Sequence, residues 1–227
     1  MADMQLPGLI SVLFSNPLAF ILIAGILLAA ITIHEFAHAL LADRLGDPTP
    51  RVQERVTLNP LAHLDPVGTA MLLLIGFGWG KPVQFDPYNL KNPVRDAALI
   101  AAAGPASNLL MALLLAIFLP MIINLAPITG PFLLVVLQVS IFYNCMLAIF
   151  NLLPLHPLDG GKILSALLPP TTAIEYDRFM YRYGNLVLIA LIIPWNGISP
   201  LSAFISPPIA YTTSAFMSLT SFILGVA

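Results

Sequence analysis

Charged residues are scarce in this 227-residue chain, at 9% against about 25% in an average soluble domain. With 59% hydrophobic residues and a mean hydropathy of +0.92, the composition excludes an ordinary soluble protein and predicts a polytopic membrane protein in a lipid bilayer. The formal net charge is only -2 and no run of like charges occurs. A nucleic-acid partner is therefore not expected.

Cysteine is almost absent, because Cys145 is the only one, so no disulfide can form within the chain. Its place in an apolar stretch predicts a buried small side chain and not a reactive thiol. Repeats, linkers and a separate soluble domain are also lacking. We predict one membrane-embedded domain over residues 1–227, with a core at 17–162 and a C-terminal helical pair at 184–227.

Long apolar runs are abundant, and about 20 such residues cross roughly 30 Å of hydrocarbon. We predict five spans, at residues 17–41, 97–125, 131–153, 184–193 and 201–227. Another run, 67–79, has only about 13 residues, which suits a re-entrant segment. The glycines within 76–83 favour extended backbone there. The expected fold class is an all-α polytopic membrane protein with about five transmembrane helices and one re-entrant or extended membrane-edge segment.

The first span contains the motif His34-Glu35-Phe36-Ala37-His38. Residues four apart share one face of a helix, so His34 and His38 can reach the same metal ion. Glu35 lies beside them and can accept a proton from the water that zinc activates, which is the chemistry of H-E-x-x-H. A charge at the bilayer centre costs about 2.5–3.5 kcal/mol, so ionisable residues there usually carry function.

A catalytic zinc site needs a third protein ligand. The candidates are His63, Asp65, His156, Asp159 and the other carboxylates of the polar loops. Asp159 is favoured, because it follows an apolar helix that ends on the zinc side and precedes two glycines that allow close backbone approach. The alternative role is a loop or cap residue for His63 and Asp65, and a neighbouring or surface group for His156.

The basic residues predict the orientation of the chain in the membrane. They are Arg44, Arg51, Arg55, Lys81, Lys91, Arg95, Lys162, Arg178 and Arg182. If residues 67–79 dip in and return, all of them fall on one side, which the positive-inside rule makes the cytoplasm. If this segment crosses, Asp159 opens on the face opposite the two histidines. We therefore predict a multi-pass protein of the cell membrane with its N-terminus outside, and its C-terminus and active site toward the cytoplasm.

Three stretches resemble the site-2 proteases, a family of intramembrane zinc metalloproteases. They are residues 34–38, Gly-Pro-Ala-Ser-Asn at 104–108, and Asn-Leu-Leu-Pro-Leu-His-Pro-Leu-Asp-Gly-Gly at 151–161. The resemblance implies hydrolysis of peptide bonds within or beside a transmembrane helix of a substrate protein. It also implies zinc held by His34, His38 and Asp159, within a three-helix core, with Glu35 as the general base.

The same resemblance implies that Asn151 contacts the substrate backbone or the oxyanion, with Asn144 a weaker candidate. His156 stands where many relatives have proline, and the chain is similar to the short branch that lacks PDZ-like and nucleotide-binding domains. An extended stretch at 76–83 can pair with an unwound substrate segment. The alternative is a metal-ion transporter or a non-catalytic metal-binding membrane protein, which is expected to have polar groups across the whole membrane thickness.

Overall fold

The computed structural model describes residues 9–75, 78–124, 130–195 and 197–225, and these residues are mainly helical. The helices are α1 Leu9–Ser15, α2 Pro17–Arg44, α3 Thr49–Val52, α4 Pro66–Ile75, α5 Pro93–Asn124, α6 Gly130–Asn151, α7 Asp159–Leu167, α8 Pro170–Ile192 and α9 Pro200–Leu224. No strand occurs in the described residues, which contain two isolated antiparallel bridges. The predicted all-α fold class is confirmed.

Helix α2 carries the H-E-x-x-H motif and begins and ends at recognisable sequence signals. The Asn16 side chain accepts a hydrogen bond from the Ala19 N–H at 3.1 Å, and Pro17 stands at the first helical position. The helix ends at Arg44, and Gly46 follows with a φ of 110°, which favours glycine. Its 28 residues extend roughly 40 Å, more than enough to cross the hydrocarbon.

Helix α5 is central, because it packs against α2, α6, α7 and α9. Its small residues Ala112 and Ala116 contact Leu137, Ile141 and Cys145 of α6, and all five side chains are buried. Small residues let two membrane helices approach closely. Cys145 is therefore a packing residue, as its sequence context predicted.

Within the described part of the chain, three helices are long and apolar enough to cross a membrane, namely α2, α5 and α6. They correspond to the first three predicted spans. The predicted span at 184–193 is the second half of α8. This helix begins at Pro170, so it also includes the polar residues before 184. The last predicted span corresponds to α9. The count of five spans stays a prediction.

The segment between α3 and α5 returns to the place where it enters the fold. Leu64 pairs with Gly80 in an antiparallel bridge, and the Lys81 N–H donates to the His63 carbonyl at 2.8 Å. A crossing segment would separate its ends by about 30 Å. Helix α4 has 10 residues, roughly 15 Å, so it covers about half that distance. The two ends therefore lie side by side, as the predicted re-entry requires, and re-entry into the membrane stays a prediction. Residues 76 and 77 lie outside the described residues.

Candidate metal centre

Three side chains that can bind a metal converge from two helices. His34 and His38 lie one turn apart on α2, and Asp159 is the first residue of α7. Asp159 Oδ2 is 3.1 Å from His34 Nε2 and 3.3 Å from His38 Nε2. These three residues form the metal-capable cluster within the described part of the chain, with all ligand atoms within 4.8 Å of one another. Both histidines are buried.

The cluster fits a zinc ion in donor type and in spacing. Two imidazole nitrogens and one carboxylate oxygen are a ligand set of catalytic zinc sites, which leave a fourth position for water or substrate. Ligand atoms at about 2.05 Å from a tetrahedral ion lie about 3.3 Å apart. The two nitrogen–oxygen distances, 3.1 and 3.3 Å, are close to this value.

An amide on α5 holds the far side of the His34 ring. His34 Nδ1 lies 2.7 Å from Asn108 Oδ1, and Asn108 is completely buried. Asn108 Nδ2 donates to the Ala30 carbonyl at 3.1 Å and to Asn144 Oδ1 at 3.0 Å. A carbonyl can only accept, so the amide orientation is fixed and its oxygen must face His34. Helices α2, α5 and α6 are thereby joined behind one candidate ligand.

His38 is oriented in the same way by backbone. Its Nδ1 lies 2.7 Å from the Ile100 carbonyl of α5, which can only accept. Each ring therefore keeps a proton on Nδ1. Its Nε2 faces Asp159, to which it can donate when it is also protonated, and it offers a lone pair to a metal ion once that proton is lost. Second hydrogen bonds of this kind are typical of metal-binding histidines, because they fix the tautomer and the ring plane.

Two glycines make room for the cluster. A Cβ at Gly104 would lie less than 3.0 Å from the Nε2 atoms of His34 and His38, so only glycine lets α5 pass this close. A Cβ at Gly160 would overlap the Leu152 and Leu153 carbonyls at the end of α6. The close contact of Gly160 with these carbonyls holds the start of α7, which includes Asp159, against the end of α6.

Asp159 is ionised in this setting. Burial by itself raises the pKa of Asp159, but the charge of His38 and hydrogen bonds from His34 and His38 outweigh it and hold this pKa well below its usual range. A buried carboxylate that keeps its negative charge beside two imidazoles is suited to a divalent cation.

Glu35 lies beside the cluster and faces the non-helical residues 78–86 that follow α4. Its Oε2 accepts a hydrogen bond from the Val83 N–H at 3.2 Å and lies 3.9 Å from Arg55 Nη2. No hydrogen bond to Oε1 occurs among the described residues. One oxygen is thus held by the protein, and the other is available to accept a proton.

The other candidate ligands have different roles. His63 is fully buried and its Nε2 lies 2.8 Å from the Thr57 carbonyl, while Asp65 Oδ1 accepts from the Gly68 N–H at 2.7 Å at the start of α4. His156 lies against Tyr181, with ring centroids 6.1 Å apart. Burial lowers the pKa of His156, Lys162 lowers it further, and Asp177 opposes both, so this ring is neutral at pH 7.

Neither asparagine considered for substrate contact joins the metal-capable cluster directly. Asn151 Nδ2 donates to the Leu147 carbonyl one turn earlier in α6, at 2.9 Å. Asn144 is buried between Asn108 and the Ser140 carbonyl. Asn144 therefore supports the amide that holds His34, whereas Asn151 is partly buried and retains a second N–H for another acceptor.

Comparison with known proteins identifies the family of the chain. A model described as Peptidase family M50 matches residues 121–194. YwhC of Bacillus subtilis (strain 168), named "Putative zinc metalloprotease", is 35% identical over 190 residues, which are 80% of this chain and 82% of YwhC. The chain belongs to peptidase family M50. The likeness to the site-2 proteases is thus confirmed, and the apolar helices make this M50 protein a membrane protein.

A second relative of this M50 protein is Rip2 of Mycolicibacterium smegmatis (strain ATCC 700084 / mc(2)155), which has the same descriptive name. It is 31% identical over 183 residues, which are 77% of this chain and 67% of Rip2. No solved structure matches the chain. The M50 assignment therefore rests on the family model and on these sequence relatives.

Sequence reasoning gave Asn108 and Arg55 no role at the site. Asn108 lies four residues after Gly104 in the motif at 104–108, so the two share one helix face. That spacing was the available signal, since the glycine marks a close approach and the amide follows one turn later. Arg55 had no comparable signal, because it stands in a polar loop.

Proposed function

We propose that this M50 protein is an intramembrane zinc metalloprotease that hydrolyses peptide bonds within or near transmembrane segments of substrate membrane proteins. One observation carries the proposal. Helix α2, which is long and apolar enough to cross a membrane, carries His34, Glu35 and His38. Asp159 of α7 meets the two histidines beside Glu35. Placing ionisable groups in such a helix costs free energy, and the groups found there usually carry function.

The residues divide the chemistry among them. His34, His38 and Asp159 would hold zinc, which when bound supplies Lewis-acid activation of the scissile carbonyl and of water. Glu35 accepts the proton of the attacking water through its unengaged Oε1 and returns it to the leaving amine. Asn151 donates its remaining amide N–H to the oxygen on which negative charge develops.

The substrate must present an extended backbone to these groups. An intact transmembrane helix hides its carbonyls in internal hydrogen bonds, so the segment to be cut has to unwind first. Residues 78–86, which have no helix or strand assignment, pass beside Glu35, and we infer that such a segment pairs with part of this backbone as an added strand. We place the site in the cell membrane, open toward the cytoplasm.

The test is cleavage of a single-span membrane protein by the purified chain in detergent. We expect cleavage to stop with a zinc chelator and to return when zinc is restored. Glu35→Gln should retain bound zinc and lose activity by about 10²-fold or more, because an amide of the same shape cannot accept the proton.

Three outcomes would contradict these assignments. Cleavage that persists after complete removal of zinc would exclude a zinc protease. Undiminished cleavage by Glu35→Gln with normal zinc content would exclude Glu35 as the base. Zinc uptake into sealed vesicles by a chain that cleaves nothing would support the transporter alternative.

A further inference from the structure

Arg55 is a charged side chain buried to 3% exposure in a chain that has few charges. Arginine is almost never fully buried unless it is paired, because taking its charge out of water is costly. Its burial lowers the pKa of Arg55, and the Glu35 carboxylate opposes that shift. The guanidinium lies outside the metal-capable cluster, and the proposed chemistry makes no use of it. The burial of Arg55 must therefore be explained by the contacts that its guanidinium makes.

The loop after α3 is shaped to direct Arg55 inward. Glu54 adopts a φ of 55°, which is uncommon for a residue with a side chain, and the Arg55 N–H donates to the Pro50 carbonyl at 2.8 Å. His63 Nε2 must donate to the Thr57 carbonyl, so its Nδ1 is an acceptor that faces Arg55 Nη2 at 3.4 Å. Backbone and histidine together fix the guanidinium.

The Arg55 guanidinium binds residues 81 and 82 of the non-helical stretch that passes Glu35. Its Nη2 donates to the Lys81 carbonyl and its Nη1 to the Pro82 carbonyl at 3.3 Å. The next residue is Val83, whose N–H donates to Glu35 Oε2 at 3.2 Å. Arg55 Nη2 is itself 3.9 Å from the same oxygen. One side chain thus connects the loop, the non-helical stretch and the carboxylate.

We propose that Arg55 is a positioning residue that fixes residues 81–83 against Glu35, and so sets the direction of the Glu35 carboxylate and the place of the substrate strand. This inference rests on the proposed protease function. Held through Oε2 by Val83 and Arg55, the carboxylate keeps Oε1 for the proton. A planar fork of N–H groups can bind two successive carbonyls, which a lysine ammonium does less well.

The test compares Arg55→Met, Arg55→Lys and the wild type in kcat, KM, zinc affinity and amide hydrogen exchange of residues 80–84. We expect Arg55→Met to lower kcat by about tenfold or more, because small displacements of a catalytic group are costly. Exchange at 80–84 should accelerate, and zinc affinity should stay within about twofold. Arg55→Lys should recover part of kcat. Arg95→Met, an exposed arginine at the start of α5, is the matched control and should equal the wild type.

Several results would overturn the proposal. Wild-type kcat and exchange rates in Arg55→Met would show that Arg55 positions nothing. Parallel loss of zinc affinity and folding in both variants would show a general structural role. If Arg55→Met does not fold, the kcat and the exchange rate of Arg55→Lys decide whether Arg55 positions residues 81–83. If the wild type cleaves no substrate, the protease function fails, and hydrogen exchange alone then tests whether Arg55 holds residues 81–83.

Discussion

His34 and His38 present the same atom to the cluster for the same physical reason. In each ring Nδ1 is bound to an oxygen on α5, from Asn108 or from Ile100, and Nε2 is left to face Asp159. The two supports differ in kind, since one is a side chain that can be replaced and the other is backbone. The contribution of orientation can therefore be measured at His34 alone.

Asn108→Ala removes the acceptor behind His34 and frees the ring to rotate or change tautomer. We expect zinc affinity to fall by about 10- to 100-fold, the usual cost of losing such a partner. Chelator competition on the purified chain measures it. Ser107→Ala, one residue earlier in the same motif, is the matched control. Wild-type affinity in Asn108→Ala would mean that packing alone orients the ring.

Asp159→Ala removes one of the three candidate ligand atoms and the only negative charge among them. We expect bound zinc to drop below one ion per chain after dialysis, as measured by metal analysis. Asp177→Ala, an exposed aspartate that accepts from Ser165, serves as the control. Full occupancy in the Asp159 variant would remove Asp159 from the ligand set.

Asp47 organises the connection between α2 and the start of α5. It is fully buried and its carboxylate accepts hydrogen bonds from the Thr49 N–H and hydroxyl, the Asp86 N–H and the Asn89 amide. Burial by itself raises the pKa of Asp47, but these hydrogen bonds outweigh it and hold the pKa below its usual value. The ionised form is therefore favoured in the folded state.

Because the folded pKa of Asp47 is depressed, its stabilisation is present above the unfolded pKa of about 3.9 and is lost as pH falls through the folded value. We expect the thermal midpoint in detergent to decline below about pH 4 for this reason. Asp47→Asn should lower the midpoint at pH 7 and flatten the acid decline. An identical decline in both proteins would assign it to other carboxylates.

The segment around α4 shows what sequence reasoning can reach at the level of elements. Its length and the position of basic residues predicted re-entry, because both depend on composition along the chain. The same reasoning gave a span at 184–193 and no prediction of how far its helix extends into the polar residues before it; the structure begins α8 at Pro170. A helix end within a polar stretch depends on packing, here of α8 against α7 and α9, which local composition does not record.

The site also contains residues that the sequence predicts and contacts that it does not. His34, Glu35, His38 and Asp159 follow from motifs, because spacing on a helix and a glycine pair are visible in one dimension. The hydrogen bond between His34 and Asn108 joins residues 74 positions apart, and that between Val83 and Glu35 joins residues 48 apart. Such contacts depend on how whole helices pack, and the sequence offered only the small-residue motif at 104–108.

The metal-capable cluster can form only if the polar loops of the molecule lie on one side of the membrane. We expect cysteines at Gln53, Lys91 and Lys162 to face the cytoplasm, and one at Ile198 to face outward. The first three side chains are exposed, and Ile198 is 63% exposed. In a Cys145→Ser background, a membrane-impermeant thiol reagent on intact cells should label only position 198.

Opening the membrane should make the other three positions reactive, which is the internal control for their accessibility. Labelling at 91 alone in intact cells would mean that the segment around α4 crosses. A metal site shared by α2 and α7 would then be impossible in this orientation. Gln53 is the probe for the loop after α3 because it is exposed, whereas its neighbour Arg55 is buried.

The distance along the chain between His34 and Asp159, 125 residues, has a consequence for biosynthesis. During translation α2 leaves the ribosome and enters the membrane long before α7 has been made. A nascent chain that ends anywhere before Asp159 carries both histidines and Glu35 but lacks the third candidate ligand. The proposed protease would therefore gain its hydrolytic capacity only after α7 has been synthesised and has folded against α2 and α5.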